Sequence, residues 1–190
     1  MVKLIPMYGD RIIPFSEPGD DNDINFNKGK RVQIVRDFIG MDLQNLKTLD
    51  IGAPNAFGKL LGIKDNTLRT DLNDELHAPD KDYDLILFSE ILEHLMNPLM
   101  ALRSCHDLLK PGGILIVSTP TPNRFFIQSP SHLTEYRPDR LVQMLRWAGF
   151  EVLDYKKFCI WDKRFMFYGI RPFLRVLFHR SQLWKLRKCS

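Results

Sequence analysis

Residues 82–120 read DYDLILFSEILEHLMNPLMALRSCHDLLKPGGILIVSTP, and the rhythm of this stretch decides the fold. Tyr83 to Phe88 is a short apolar run, of the kind a parallel strand buried on both faces requires. Ser89 ends it. From Glu90 the period changes: Ile91, Leu92, Leu95, Met96, Leu99, Leu102, Cys105, Leu108 and Leu109 recur at helical spacing. Lys110, Pro111, Gly112 and Gly113 combine a basic residue, a breaker and two hinges, and predict the stop of that helix. Ile114 to Val117 predicts a second buried strand. Polar groups therefore gather where the first strand ends and the helix begins. In open α/β sheets that carboxyl edge is where ligands bind.

The flanks extend the same alternation. Asn27 to Ile39 reads as a helix with Val32, Ile34, Val35, Phe38 and Ile39 apolar. Thr48–Gly52 is a strand, Pro54–Leu61 a short helix, and Thr67–Leu72 another strand. A helix opens near Arg137 with Pro138 in its first turn; Gly149 closes it, and Phe150 to Phe158 is a strand. Residues 1–26 carry Pro, Gly and Asp without a clear period and read as an irregular arm or lid.

Composition fits a single domain. A length of 190 can bury a substantial core. No apolar run approaches the ~18 residues a membrane span needs, and Gly9, Asp10 and Arg11 interrupt what would have to be a signal peptide. Cys105, Cys159 and Cys189 are scattered with no CxxC, which argues for free thiols in a reducing, cytoplasmic compartment and against a metal knuckle. Charge is uneven: residues 156–190 hold ten Lys and Arg against Asp162 alone, net +9, although the whole chain is only +4. A basic tail on an acidic body suggests an anionic partner.

The pieces DYDLILFSEILEHL, LLKPGGILIVSTP and HLTEYRPDRLVQMLRWAGFEV (132–152), with TLDIG at 48–52, resemble the class I S-adenosylmethionine-dependent methyltransferases. The resemblance implies an α/β, Rossmann-like, doubly wound and mostly parallel sheet over residues 27–158. It also implies S-adenosylmethionine as cofactor. Its site residues would be Asp50, Gly52 and Ala53 at the first turn, Asp71 and Leu72 at the end of the second strand, and Ser89 and Glu90 at the later corner. The interval from Asp50 to Asp84 is one strand–helix unit short, so the sheet should have fewer strands than the usual seven. The family's first turn is usually Gly-x-Gly-x-Gly; here Gly52-Ala53-Pro54-Asn55-Ala56-Phe57-Gly58 keeps only the first glycine in register. Pro54 has no N–H to offer but suits the first position of a helix. Two readings stay open: a modified turn that works, or a fold kept as a binding or scaffold module.

Glu90, Glu93 and His94 stand at i, i+3 and i+4, which on a helix share one face. With His132 they resemble the Glu-x-x-Glu-His arrangement of the small-RNA 2′-O-methyltransferases and the ubiquinone-pathway O-methyltransferases. That resemblance implies a divalent-metal site on Glu90, Glu93, His94 and His132, able to orient a hydroxyl for methylation. Without metal, His94 or His132, with Glu93, is a general-base candidate. Acids in a first helical turn also simply favour the helix dipole.

Residues 159–190 do not read as the strand with which most relatives return to the sheet. They read as a basic, aromatic C-terminal extension, with a helix opening at Pro172. Three partners fit: an anionic membrane surface, which would put the protein on the inner face of the membrane; nucleic acid; or the domain itself. The expected activity is O-methylation of a small-molecule or lipid-linked acceptor such as a glycan, polyprenyl intermediate or quinone precursor, with an RNA substrate as the weaker alternative.

Overall fold

The computed structural model describes residues 26–52, 55–67, 72–73, 76–123, 131–160, 163, 167 and 169–189. Among these residues six strands form one sheet: β1 (Thr48–Asp50), β2 (Asp65–Asn66), β3 (Tyr83–Ser89), β4 (Leu109–Pro120), β5 (Phe150–Phe158) and β6 (Ser181–Lys188). Their spatial order is β2-β1-β3-β4-β6-β5. Only β6 runs against its neighbours. The helices are α1 (Phe26–Ile39), α2 (Ala56–Leu61), α3 (Pro98–Leu108), α4 (Pro138–Trp147) and α5 (Ile170–Phe178). None of the described helices is long and apolar enough to cross a membrane.

The apolar run of β3 has its explanation in two cores. Leu85 and Leu87 face α1 and α2 with Val32, Val35, Phe38, Ile39 and Leu61. Ile86 and Phe88 face α3 and α4 with Leu102, Cys105, Leu108, Leu141 and Leu145. Successive side chains of a strand alternate between faces, so a strand covered on both sides must be apolar throughout. Every residue from Leu85 to Phe88 is completely buried.

Three boundaries differ from the sequence reading. The helix expected from Glu90 begins at Pro98, behind the N-cap Asn97, whose side chain accepts from the Met100 N–H. Before it lies a short 3₁₀ turn, Leu92–His94, because Glu90 takes a left-handed φ of 54° and turns the chain off the strand. Lys110–Gly113 does not separate helix from strand. It is an irregularity inside β4, where pairing jumps from Tyr83↔Leu109 to Leu85↔Ile114. A Cβ on Gly113 would stand 2.9 Å from the Lys110 carbonyl and 3.0 Å from that of Tyr83, so this close approach needs glycine. The second strand is Asp65–Asn66, ahead of the Thr67–Leu72 expected for it, of which residues 68–71 lie outside the described residues. At Thr67 the side chain takes over, its hydroxyl accepting from Gly52 N at 2.8 Å.

The larger correction concerns the tail. The returning strand is present: residues 181–188 form β6, inserted between β4 and β5 and paired along its length with both. Among the described residues the sheet has six strands, fewer than the usual seven. The strand was hidden by its polar residues, which the fold uses internally. Gln182 is fully buried; it donates to the Tyr136 carbonyl at 2.6 Å and accepts from the Trp184 indole at 3.1 Å. Lys185 donates to the Ile39 carbonyl at the end of α1, Lys188 donates to the Leu109 carbonyl, and Arg187 pairs with Glu151. Three of the tail's basic residues thus belong to the sheet.

A chain ending at Arg180 should therefore lose cooperative thermal unfolding, since β4 and β5 would each expose an unpaired edge. A sharp melt in the truncated protein, followed by circular dichroism, would contradict the placement of β6.

Candidate active site

The carboxyl ends of β1, β3 and β4 bring together Asp50, the Ser89–Glu90 corner, and Ser118 with Thr119. At β1, Asp50 is 2% exposed. Its carboxylate accepts from the Asn55 side-chain amide at 2.8 Å. Asn55 also caps α2, accepting from Gly58 N. A Cβ on Gly58 would lie 2.4 Å from Asp50 Oδ2; the second glycine of the altered turn therefore makes room for this carboxylate. Burial raises Asp50 to about 7, against smaller opposing effects of Asn55 and Arg31. Gly52 has φ 111° and is fixed to Thr67 on both its N–H and its carbonyl.

At β3 and β4 a chain of hydrogen bonds crosses the strand ends. Arg31 of α1 donates to Ser89 Oγ at 2.8 Å and Ser118 Oγ at 3.2 Å, and pairs with Glu90 at 3.1 Å. Ser118 donates to Glu90 at 3.0 Å and is 2.9 Å from Ser89 Oγ. The Arg31 guanidinium also stacks 4.8 Å above the Phe57 ring. Sequence reasoning missed Arg31, Ser118 and Thr119. Arg31 lies at i, i+4 and i+7 with Val35 and Phe38, so a cation on the apolar stripe of α1 was the available signal. Ser118 and Thr119 end an apolar strand as Ser89 does.

Glu93, on the 3₁₀ turn, is 1% exposed. It accepts from Thr119 Oγ1 at 3.0 Å. Burial, and then the nearby Glu90 charge, push it up to about 8. Its backbone carbonyl accepts from Leu133 and Thr134, which fastens the segment carrying His132 beneath it. His94 Nδ1 is 2.7 Å from the Ser131 carbonyl, so Nδ1 carries the proton and Nε2 is free to accept or ligate. His132 Nδ1 meets Glu135 at 2.9 Å, which favours the same tautomer. The two imidazoles stand edge to face at 5.0 Å. One ligand atom from each of Glu93, His94 and His132 lies within 4.8 Å of the other two.

Of the residues expected at the site, Asp50, Gly52, Ser89 and Glu90 line the strand ends, and Glu93, His94 and His132 converge. Glu90 does not join that cluster as the helical spacing implied. The left-handed turn sends it to Arg31 and Ser118, leaving three residues where four were expected. Leu72 packs against the α3/α4 core. Ala53 and Asp71 lie outside the described residues.

The implied cofactor can be tested against these groups. S-adenosylmethionine carries a cationic sulfonium, an ammonium and a carboxylate. The buried, glycine-walled Asp50 suits a cationic group. Arg31 Nε is a buried donor without a hydrogen-bond partner among the described residues, and suits an anionic one. The residues fit. For a divalent cation the set is one carboxylate and two imidazoles, each imidazole oriented by a second group. That favours Zn²⁺ or Mn²⁺ over Mg²⁺, which prefers oxygen.

Asp50 yields a pH prediction. Its folded value, about 7, lies above the ordinary 3.8, so the folded state holds the proton more tightly. The stability this lends is present at low pH and is lost as pH rises from 4 to 7, by on the order of 4 kcal/mol. The Asp50→Asn variant escapes that loss. Its stability relative to the wild type should therefore climb across this window in urea titrations, and a constant difference would refute the assignment.

A methyltransferase-domain family matches residues 22–164. A probable S-adenosylmethionine-dependent methyltransferase of Mycolicibacterium smegmatis is 35% identical over 85 residues, 42% of this chain and 33% of that protein. A ubiquinone biosynthesis O-methyltransferase of Ruegeria pomeroyi is 35% identical over 94 residues, 41% of this chain and 38% of that protein. The chain thus spans between a third and two fifths of the length of these relatives. Among solved structures, the N-methyltransferase NodS of Bradyrhizobium japonicum, bound to S-adenosyl-l-homocysteine, superposes with a TM-score of 0.60 at 16% identity, over 90% of this chain and 94% of its own. The [4+2]-cyclase SpnF superposes at 0.58 with 18% identity, over 85% and 81%. Neighbours of such different chemistry speak for the fold alone. From the family match, the sheet and the strand-end residues together, the chain belongs to the class I S-adenosylmethionine-dependent methyltransferase family.

Proposed function

We propose that the protein transfers a methyl group from S-adenosylmethionine to an oxygen of its acceptor. The carrying observation is the convergence of Glu93, His94 and His132 beside the Asp50–Ser89–Glu90 edge. The bound cofactor would supply an electrophilic methyl. The chain's own part is to hold the acceptor hydroxyl and take its proton. His94 Nε2 is suited to that role, because Ser131 fixes the proton on the other nitrogen. His132, oriented by Glu135, is the neighbouring acceptor of a proton or a hydrogen bond. A divalent cation on Glu93, His94 and His132 would serve the same end by lowering the pKa of a bound hydroxyl. Among the relatives, several are named ubiquinone biosynthesis O-methyltransferases, which supports an oxygen acceptor attached to, or destined for, an apolar molecule.

Transfer of labelled methyl from S-adenosylmethionine to small phenols and lipid extracts tests the reading. His94→Gln should lower the rate about 10²–10⁴-fold, as for loss of a general base, and His132→Gln should do the same if both share the acceptor. Chelation by EDTA should abolish turnover, with restoration by Zn²⁺ or Mn²⁺, if the cluster works through a metal. Turnover unchanged in all three arms would remove the cluster from the chemistry.

A further inference from the structure

We propose that α5, with Phe167 just before it, forms a docking surface for an anionic lipid bilayer, set at the rim of the candidate active site. Ser181 pairs with both Pro120 and Phe158, so the strand ends that flank α5 lie at the sheet edge that also bears Ser118 and Thr119. Backbone contacts fasten it there: Thr121 N donates to the Arg180 carbonyl at 2.9 Å, and the Asn123 amide donates to the Phe178 carbonyl at 2.7 Å.

The helix is mounted with apolar residues outward. Val176 is buried, but Ile170 is 79% exposed, Phe173 and Leu177 are each 38% exposed, and Phe167 just before the helix is 89% exposed. Ile170, Phe173 and Leu177 fall at i, i+3 and i+7, one face of the helix. On an ordinary surface helix that face would turn inward. Basic residues accompany it. Residues 156–180 contain seven Lys and Arg against Asp162 alone, net +6, and Lys156, Lys157 and Lys163 are exposed.

Charge selects the occupant. A second copy would bring +6 against +6, whereas anionic headgroups complement it, and the apolar face enters the headgroup boundary. Single-stranded nucleic acid would use Phe167 and Phe173 as stacking platforms but would leave the aliphatic Ile170 and Leu177 in water, whereas a headgroup boundary takes up all four. The membrane contact stands without methyl transfer. That the acceptor is an amphiphile presented by the bilayer rests on the proposed activity.

Flotation of the full chain with vesicles decides it. The protein should float with phosphatidylcholine vesicles containing phosphatidylglycerol, float poorly with phosphatidylcholine alone, and be released as rising salt shortens the ~10 Å screening length of 0.1 M solution. The paired variant Ile170→Asp, Phe173→Asp should lower partitioning about tenfold or more, because each buried apolar side chain is lost, with thermal stability and S-adenosylhomocysteine affinity unchanged. Lys157→Glu with Lys163→Glu gives a second variant that leaves the helix intact and should lower binding only to anionic vesicles. A wild type that stays at the bottom of the gradient at low salt would overturn the proposal, as would flotation unaffected by either variant. A concentration-dependent dimer that the paired variant abolishes would assign the face to a second copy instead. Because cofactor affinity is measured separately, failure of the docking surface and failure of the enzyme reading remain distinct.

Discussion

One guanidinium stands against three carboxylates at the heart of this structure. Arg31, reaching across from α1, pairs directly with Glu90 and lowers the cost of ionising both Asp50 and Glu93. Burying several acids with one cation is unfavourable unless further charge arrives. The site carries the shortfall because the strand ends hold the acids there: Asp50 closes β1 and Glu90 turns the chain off β3 at a left-handed φ. A cofactor bearing a sulfonium and an ammonium, or a divalent cation on the Glu93 side, would relieve it. The electrostatic strain of the free protein and the chemistry expected of the bound one are then two views of the same arrangement.

The same contact ties sequence-distant parts together. Arg31 joins α1 to β3 and β4, and Lys185 of β6 holds the far end of α1 through the Ile39 carbonyl. Glu93 holds the His132 segment through its carbonyl and Thr119 through its carboxylate. The site is thus built from the core outward, with its polar groups rooted in buried strand ends. The exposed surface of α5 is rooted at the same edge, which places the proposed membrane contact beside the chemistry.

Much of this was legible beforehand, for identifiable reasons. The β3 run, the Pro138 helix and the Phe150 strand carry period and punctuation that propensity can read. Asp50, Ser89 and Glu90 were singled out through the family resemblance, and the structure places them at the strand ends. What failed failed through tertiary context. Nothing local says that Gln182, Lys185 and Lys188 are satisfied by distant carbonyls, so β6 was read as part of a basic, aromatic extension. Helical spacing grouped Glu90 with Glu93 and His94, but one left-handed residue moved it to Arg31. Arg31 was not singled out at all, because its place on the apolar stripe of α1 gains meaning only against the strand ends.

Titration calorimetry with S-adenosylmethionine shows whether the Asp50 edge receives that compound. The wild type should give a saturable heat, and Asp50→Asn, though more stable near neutral pH, should bind at least about tenfold more weakly, since a hydrogen bond to a charged group contributes ~1.5–3 kcal/mol. Absence of any heat at millimolar ligand, or equal affinity in the two proteins, would contradict that placement.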